Sequence, residues 1–195
     1  SRNYAYASIA AYETVVLGDS RYVSLAGQLN GLSGIPEQNK QSVNFNYAAL
    51  LAFCKVGQAV TFPEGSMKNY VESLDSLAEA SGMTSDMKTN SKKLADFVAD
   101  HILLWSKKDK YAETRTAEKY TIKNEEGRWV PTPPAYNEAI EPNWNQIRPM
   151  VMDSSNHFIP PRPPKFDMID KQSKFYKEVV LVKNAVDSLT DEQKH

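Results

Sequence analysis

Three histidines, one cysteine and a few proline-flanked arginines are the side chains through which this chain could do chemistry. His101 falls on the apolar face of a long helical pattern. The default reading is a core histidine bonded to a neighbour, and a general base is the alternative. His157 follows Asp153 in a proline-rich stretch. That spacing joins two metal ligands only on a helix, and the surrounding prolines oppose one. His195 is the terminal residue and carries no reading. Arg148-Pro149 lies among aromatic residues and could hold an anion bidentately. The plainer reading is a structural pair with Glu141 or Asp153, or stacking on Trp144. Arg162, within Pro160-Pro161-Arg162-Pro163-Pro164, has the same two readings. Asp86, Asp96 and Asp100 read as the solvated face of their helix. Cys54 sits in an apolar run and reads as a small buried thiol. A single cysteine excludes an internal disulfide and a cysteine zinc cluster.

Catalytic motifs are missing. The chain has no phosphate loop of the Gly-x4-Gly-Lys-Ser type and no Gly-x-Gly-x-x-Gly. It has neither a Gly-x-Ser-x-Gly elbow nor His-Glu-x-x-His. From pattern alone the chain announces no reaction.

The elements that must position these residues divide by grammar. Residues 1–118 read as helices. Tyr4, Ala5, Ser8, Tyr12 and Val15 fall at helical spacing, and the small Ala7, Ala10 and Ala11 let a neighbour approach closely. Gly18-Asp19-Ser20 ends that helix. A short helix is expected over residues 21–29, before Asn30-Gly31 and Ser33-Gly34-Ile35-Pro36 break the pattern. Residues 46–62 are apolar nearly all round, as a helix inside a bundle would be, and Pro63-Glu64-Gly65 closes them. A one-sided helix follows over residues 66–81, with Gly82 as its C′ residue. A longer one over residues 85–108 carries Leu94, Phe97, Val98, His101, Ile102 and Trp105 on one face. Short connections favour antiparallel neighbours, which predicts a helical bundle. No repeat of about 33–47 residues argues for a solenoid.

Over residues 119–170 the grammar changes. Nine of the 11 prolines lie between Pro131 and Pro164, interleaved with Trp129, Tyr136, Trp144 and Phe158. Proline restricts the unfolded chain and the aromatics give the stretch something to bury. An ordered crossing that covers the bundle is expected. Residues 171–195 resume as helix over 172–187, striped by Phe175, Val179, Val182 and Val186. The last seven residues read as a new helix start: Leu189 in the staple position, Thr190 at the N-cap, Gln193 reaching back, Asp191 and Glu192 favoured by the dipole. That signal and the abrupt start at Ser1-Arg2 suggest a piece of a larger protein. At 195 residues, 41% hydrophobic and net charge −1, the chain can build a core and is no general nucleic-acid binder. No stretch approaches the roughly 20 apolar residues of a membrane span.

Three stretches resemble a known family. Ser1-Arg2-Asn3-Tyr4-Ala5-Tyr6-Ala7-Ser8-Ile9-Ala10-Ala11-Tyr12-Glu13 looks like the first helix of bacterial vanadium-dependent haloperoxidase-like proteins. These belong to the type 2 phosphatidic acid phosphatase superfamily. Gly127-Arg128-Trp129-Val130-Pro131-Thr132-Pro133-Pro134-Ala135-Tyr136 resembles their proline-aromatic segment. The likeness continues through Glu141-Pro142-Asn143-Trp144 and Arg148-Pro149 to Pro163-Pro164-Lys165-Phe166-Asp167. Leu189-Thr190-Asp191-Glu192-Gln193 is similar to the start of their next helix. The resemblance implies an all-α protein whose phosphate or vanadate pocket uses Lys-x6-Arg-Pro, Pro-Ser-Gly-His and Ser-Arg-x5-His. None of the three is present. Glu141 stands where a lysine would precede Arg148-Pro149, and Ser155 where one would precede Arg162-Pro163. No catalytic residue is therefore carried onto this chain.

The expectation is an all-α N-terminal scaffold: a bundle over 1–118, a covering segment over 119–170, and a helix over 171–195 leading into a catalytic half beyond. Any vanadate would be held by that half and none by this chain. The partners implied are that half and a possible second copy, with no nucleic acid. Trp129, Tyr136, Asn143, Trp144 and Arg148 are the candidate pocket-lining residues. The alternative is a non-catalytic exported module whose exposed Tyr and Trp bind glycans or proteins. The family likeness suggests export to the periplasm or cell surface.

Overall fold

The computed structural model describes residues 2–61, 65 and 67–194. Among the described residues six α-helices run in order: α1 (Arg2–Val16), α2 (Phe45–Val60), α3 (Lys68–Ala80), α4 (Ser85–Ser106), α5 (Tyr111–Thr116) and α6 (Lys174–Asp187). Two 3-10 turns add Trp144–Gln146 and Asp191–Lys194. No β-strand occurs among the described residues, so the all-α expectation holds.

The chain forms two compact units. The first comprises Ser1–Ala117 with Asn143–Ser155, and the second Glu118–Pro142 with Asn156–His195. The proline-rich stretch, read from its composition as one segment, thus contributes its middle to the helical unit.

In the first unit α1, α2 and α4 pack together around a core that includes Tyr6, Ala10, Ala48, Ala52, Val56, Val98, Ala99 and Ile102. Small residues set the spacing: a Cβ built on Gly57 of α2 would lie 3.9 Å from Ala7 Cβ of α1. Each fully buried Ile or Val side chain here contributes roughly 1.5–3 kcal/mol. The starts of α2 and α4 are capped by side chains, each worth about 0.5–2 kcal/mol. Asn44 accepts from the Tyr47 N–H of α2, and Thr84 from the Met87 N–H of α4. Helix α3 ends in a full Schellman pair, Gly82 N–H to Glu79 C=O and Met83 N–H to Ala78 C=O. Gly82 takes φ +77° there, as anticipated for C′. Phe62, the expected end of the 46–62 helix, Pro63 and Glu64 of its expected close, and the expected helix start at Ser66 lie outside the described residues, as do Ser1 and His195.

Residues 21–29 are not a helix, which corrects the expectation. Glu13, 2% exposed on α1, captures that backbone instead. Its carboxylate accepts from Leu25 N–H at 2.7 Å and from Ser24 Oγ at 2.7 Å. The loop then turns through Gly27 and Gly31, both at positive φ. A buried carboxylate that accepts from main-chain N–H groups competes with the helical ladder for those donors.

The second unit has its own aromatic contacts. Tyr120 meets Trp129 edge-on at 5.6 Å, and Phe166 packs on Phe175 at 4.9 Å. Lys119 pairs with Glu138 at 2.9 Å. Helix α6 is capped by Ser173, whose Oγ accepts from Tyr176 N–H. The helix has no buried residue, and its Val179, Val182 and Val186 are exposed. At the chain end Gln193 Oε1 accepts from Thr190 N–H at 3.0 Å, the reciprocal half of the expected cap.

Candidate functional site

The polar cluster of the first unit is assembled from three places in the sequence. The start of α1 supplies Arg2 and Tyr6. The end of α4 and the turn after it supply Trp105 and Asp109. The stretch 143–155 supplies Arg148. Asp109 has a side chain only 1% exposed, and Arg2 one 13% exposed. Asp109 accepts from Arg2 Nε at 2.7 Å, Tyr6 Oη at 2.8 Å and Tyr111 N–H at 2.9 Å. Burial alone would raise its carboxyl pKa. The Arg2, Tyr111 and Tyr6 donors outweigh burial and hold it below the usual carboxylate range. Tyr6 is pushed the other way, to about 12. Burial is the main cause, and the Asp109 carboxylate adds to it through their hydrogen bond and its charge.

Arg148 is seated over Trp105, with its guanidinium carbon 4.6 Å from the ring centroid. Its Nη2 donates to Trp105 C=O at 3.2 Å and to Tyr6 Oη at 3.3 Å. Its Nε is buried with no hydrogen-bond partner. Arg148 thus stacks on Trp105 rather than on the expected Trp144, and it donates to Tyr6 and Trp105. The pairing is long-range, so no local spacing announces it. Trp144 packs instead edge-on against Tyr111 at 6.3 Å.

Main-chain bonds hold the arginine in place. Arg148 N–H donates to Asp109 C=O at 3.0 Å, and Asn30 N–H to Met150 C=O at 2.8 Å. Asn30 Nδ2 reaches Pro149 C=O and Met152 C=O, and Trp105 Nε1 donates to Asn30 C=O. A Cβ on Gly31 would lie 3.7 Å from both Arg148 Nη1 and Trp105 Nε1, and φ there is +73°. Beside the cluster opens a cavity of about 320 Å³.

Of the five residues singled out from the sequence, the first unit holds Asn143, Trp144 and Arg148 together, with Trp144 and Arg148 on the cavity wall. Trp129 and Tyr136 belong to the second unit. Trp129 lines a groove of about 660 Å³ with Tyr120, Asn137 and Ile140. Tyr136 stands 63% exposed at φ +46°. Sequence reasoning missed Arg2, Tyr6, Asn30 and Asp109, whose only signal is their meeting in space.

His101 is half-buried rather than part of the core, and its Nε2 lies 3.0 Å from Ser33 C=O, so the expected bond to a neighbour is present. Asp96 and Asp100 are exposed and share Lys55 at 2.9 Å each, and Asp86 is exposed. Cys54 is buried, and burial pushes its thiol pKa up. No group of three metal-binding side chains occurs among the described residues. No described helix is long and apolar enough to cross a membrane.

A vanadate cradle needs several cationic donors converging on one oxyanion. The cluster does not fit that need. Arg2 is committed to Asp109, and Arg148 gives its Nη2 to Tyr6 and Trp105 while its Nε is closed off from solvent.

An all-helical, haloperoxidase-like unit is what this architecture and the comparisons together define. A solved structure, described as that of the first bacterial vanadium-dependent iodoperoxidase, superposes with a TM-score of 0.84 at 43% identity. The match covers 97% of this chain and 46% of the other, so the chain spans about half the length of that relative. No family model matches the chain, and no curated protein does.

Proposed function

We propose that this chain is the N-terminal helical scaffold of an enzyme of the vanadium haloperoxidase and type 2 phosphatidic acid phosphatase group. The observation that carries the reading is the 43% identity with an iodoperoxidase across nearly the whole chain. The whole protein then performs vanadate-dependent halide oxidation or phosphate-ester hydrolysis. Its oxyanion-binding residues lie beyond residue 195. The exposed Val179, Val182 and Val186 of α6 support docking of that catalytic half, because a solvent-facing apolar stripe gains by being covered. A second copy of the chain is the other candidate cover. Export to the periplasm or cell surface belongs to the same proposal.

The test is the coding sequence that follows residue 195. Lys-x6-Arg-Pro, Pro-Ser-Gly-His and Ser-Arg-x5-His in order support the enzyme. A stop codon, or decay of all three, turns the reading to the non-catalytic binding module. The exposed Trp129 and Tyr120 of the second unit make that module the second reading.

A further inference from the structure

We infer that α3 is a lid on the first unit: it opens without global unfolding, it is latched by Asp75, and it uncovers an apolar cavity between α2 and α4. The argument starts from how little apolar surface holds the helix. Of the 13 residues of α3 only Leu74 and Ala78 are buried. Helices α2 and α4 each bury eight. Tyr70 and Leu77 of α3 face solvent, 52% and 65% exposed, and the start of the helix has no side-chain cap. An element with few buried apolar groups and an uncapped end opens at a lower free energy than the core it rests on.

The second step is the polar hold, which is concentrated at one side chain. Asp75 Oδ1 accepts from Tyr47 Oη of α2, and its Oδ2 accepts from Lys92 Nζ of α4 at 2.6 Å. One carboxylate thus ties α3 to both helices beneath it. Glu79 adds a pair with Lys88 of α4, but its own side chain is 69% exposed, where an ion pair holds weakly. Burial would raise the Asp75 pKa. Lys92, Tyr47 and Lys88 outweigh it and hold the carboxyl below the usual range, so the latch is charged at neutral pH.

The third step is what lies beneath. A cavity of about 620 Å³ is lined by Leu51 and Cys54 of α2, Val71 of α3, and Lys92, Ala95 and Leu103 of α4. Val71 makes α3 one wall of this space, and Lys92 belongs both to the lining and to the latch. Moving α3 away removes that wall. With α3 closed Cys54 is 1% exposed, so its thiol reports the opening.

The test is alkylation of Cys54 by N-ethylmaleimide in the folded, intact protein at neutral pH. The adduct is read by mass spectrometry on the tryptic peptide 41–55 as urea is raised below the unfolding midpoint. Where the rate is proportional to reagent it reports the population of the open form. The urea slope should be less than about half that of global unfolding, because α3 covers little surface. Asp75→Asn and, separately, Lys92→Gln should speed labelling about tenfold, the loss of a charge-assisted bond discounted for partial exposure. Asp109→Asn weakens the whole fold without touching α3, and it should leave the rate as in the wild type. A wild-type urea slope equal to that of global unfolding overturns the inference. So does an unchanged rate in folded Asp75→Asn and Lys92→Gln, or a rise in Asp109→Asn that matches its loss of stability. The urea slope is read on the wild type, so it decides even where a variant fails to fold. None of these outcomes bears on the residues that follow 195, so the scaffold reading stands or falls separately.

Discussion

Arg2 and Asp109 are 107 residues apart, yet their side chains meet at 2.7 Å, and the carboxylate is 1% exposed. This pair ties the start of α1 to the turn after α4. Asp109→Asn would leave the Arg2 charge without its partner while keeping the acceptor for Tyr111 N–H. Breaking a buried pair in this way costs about 3–5 kcal/mol. Urea unfolding should show that loss as a lower midpoint at unchanged slope. Arg21→Ala, which removes the exposed pair with Asp19, should leave the midpoint where it was.

Acid should unfold the protein through the same carboxylate. Asp109 has its pKa held below the unfolded value by Arg2, Tyr111 and Tyr6 against the opposing effect of burial. Its contribution is therefore complete above the unfolded pKa and is lost as pH falls through the folded one. Midpoints measured downward from pH 6 should fall with a steeper slope in the wild type than in Asp109→Asn.

Alkali acts on Tyr6 with the opposite sign. Its folded pKa of about 12 exceeds the ordinary 10.0, so its stabilisation is full below pH 10 and is lost between 10 and 12. Tyr6→Phe should remove that alkaline loss. It should also cost about 1–3 kcal/mol at neutral pH, because Asp109 loses a buried donor. Equal alkaline slopes in wild type and variant would refute this assignment.

Gly18 marks a tight approach. A Cβ there would lie 2.3–2.7 Å from the Phe45 ring. Gly18→Ala should destabilise by about 1–3 kcal/mol through overpacking. Combined with Phe45→Ala the two losses should sum to less than their separate values, because the ring that clashes is gone.

Much of the fold was legible because helices write themselves locally. The spacing of Tyr12 and Val15, the all-round apolar run through Leu50 and Val56, and the stripe from Leu94 to Trp105 each mark a helix within a few residues. Gly82 announced its own C′ role. The failure at residues 21–29 has a clear cause: Glu13, several residues upstream, takes the N–H that a helix would use. Short α5 was missed because its start depends on Asp109 accepting from Tyr111 N–H, next to a left-handed Lys110. The site was harder still. Arg148 stood out by its place beside proline, but its partners Tyr6 and Trp105 lie 142 and 43 residues away. Composition grouped Trp129 and Tyr136 with Trp144 and Arg148, and packing puts them in different units. Periodicity reports which face is buried, and the identity of the group facing it is a tertiary fact.

The central claim is that this scaffold serves an oxyanion-dependent enzyme. The most direct measurement is iodide oxidation by the intact, vanadate-free protein in peroxide as orthovanadate is titrated in, with phosphate-ester hydrolysis assayed on the vanadate-free sample. The account predicts activity in one of the two assays: iodide oxidation that rises from zero and saturates with vanadate, or hydrolysis that vanadate suppresses. Silence in both assays from folded, intact protein would contradict it.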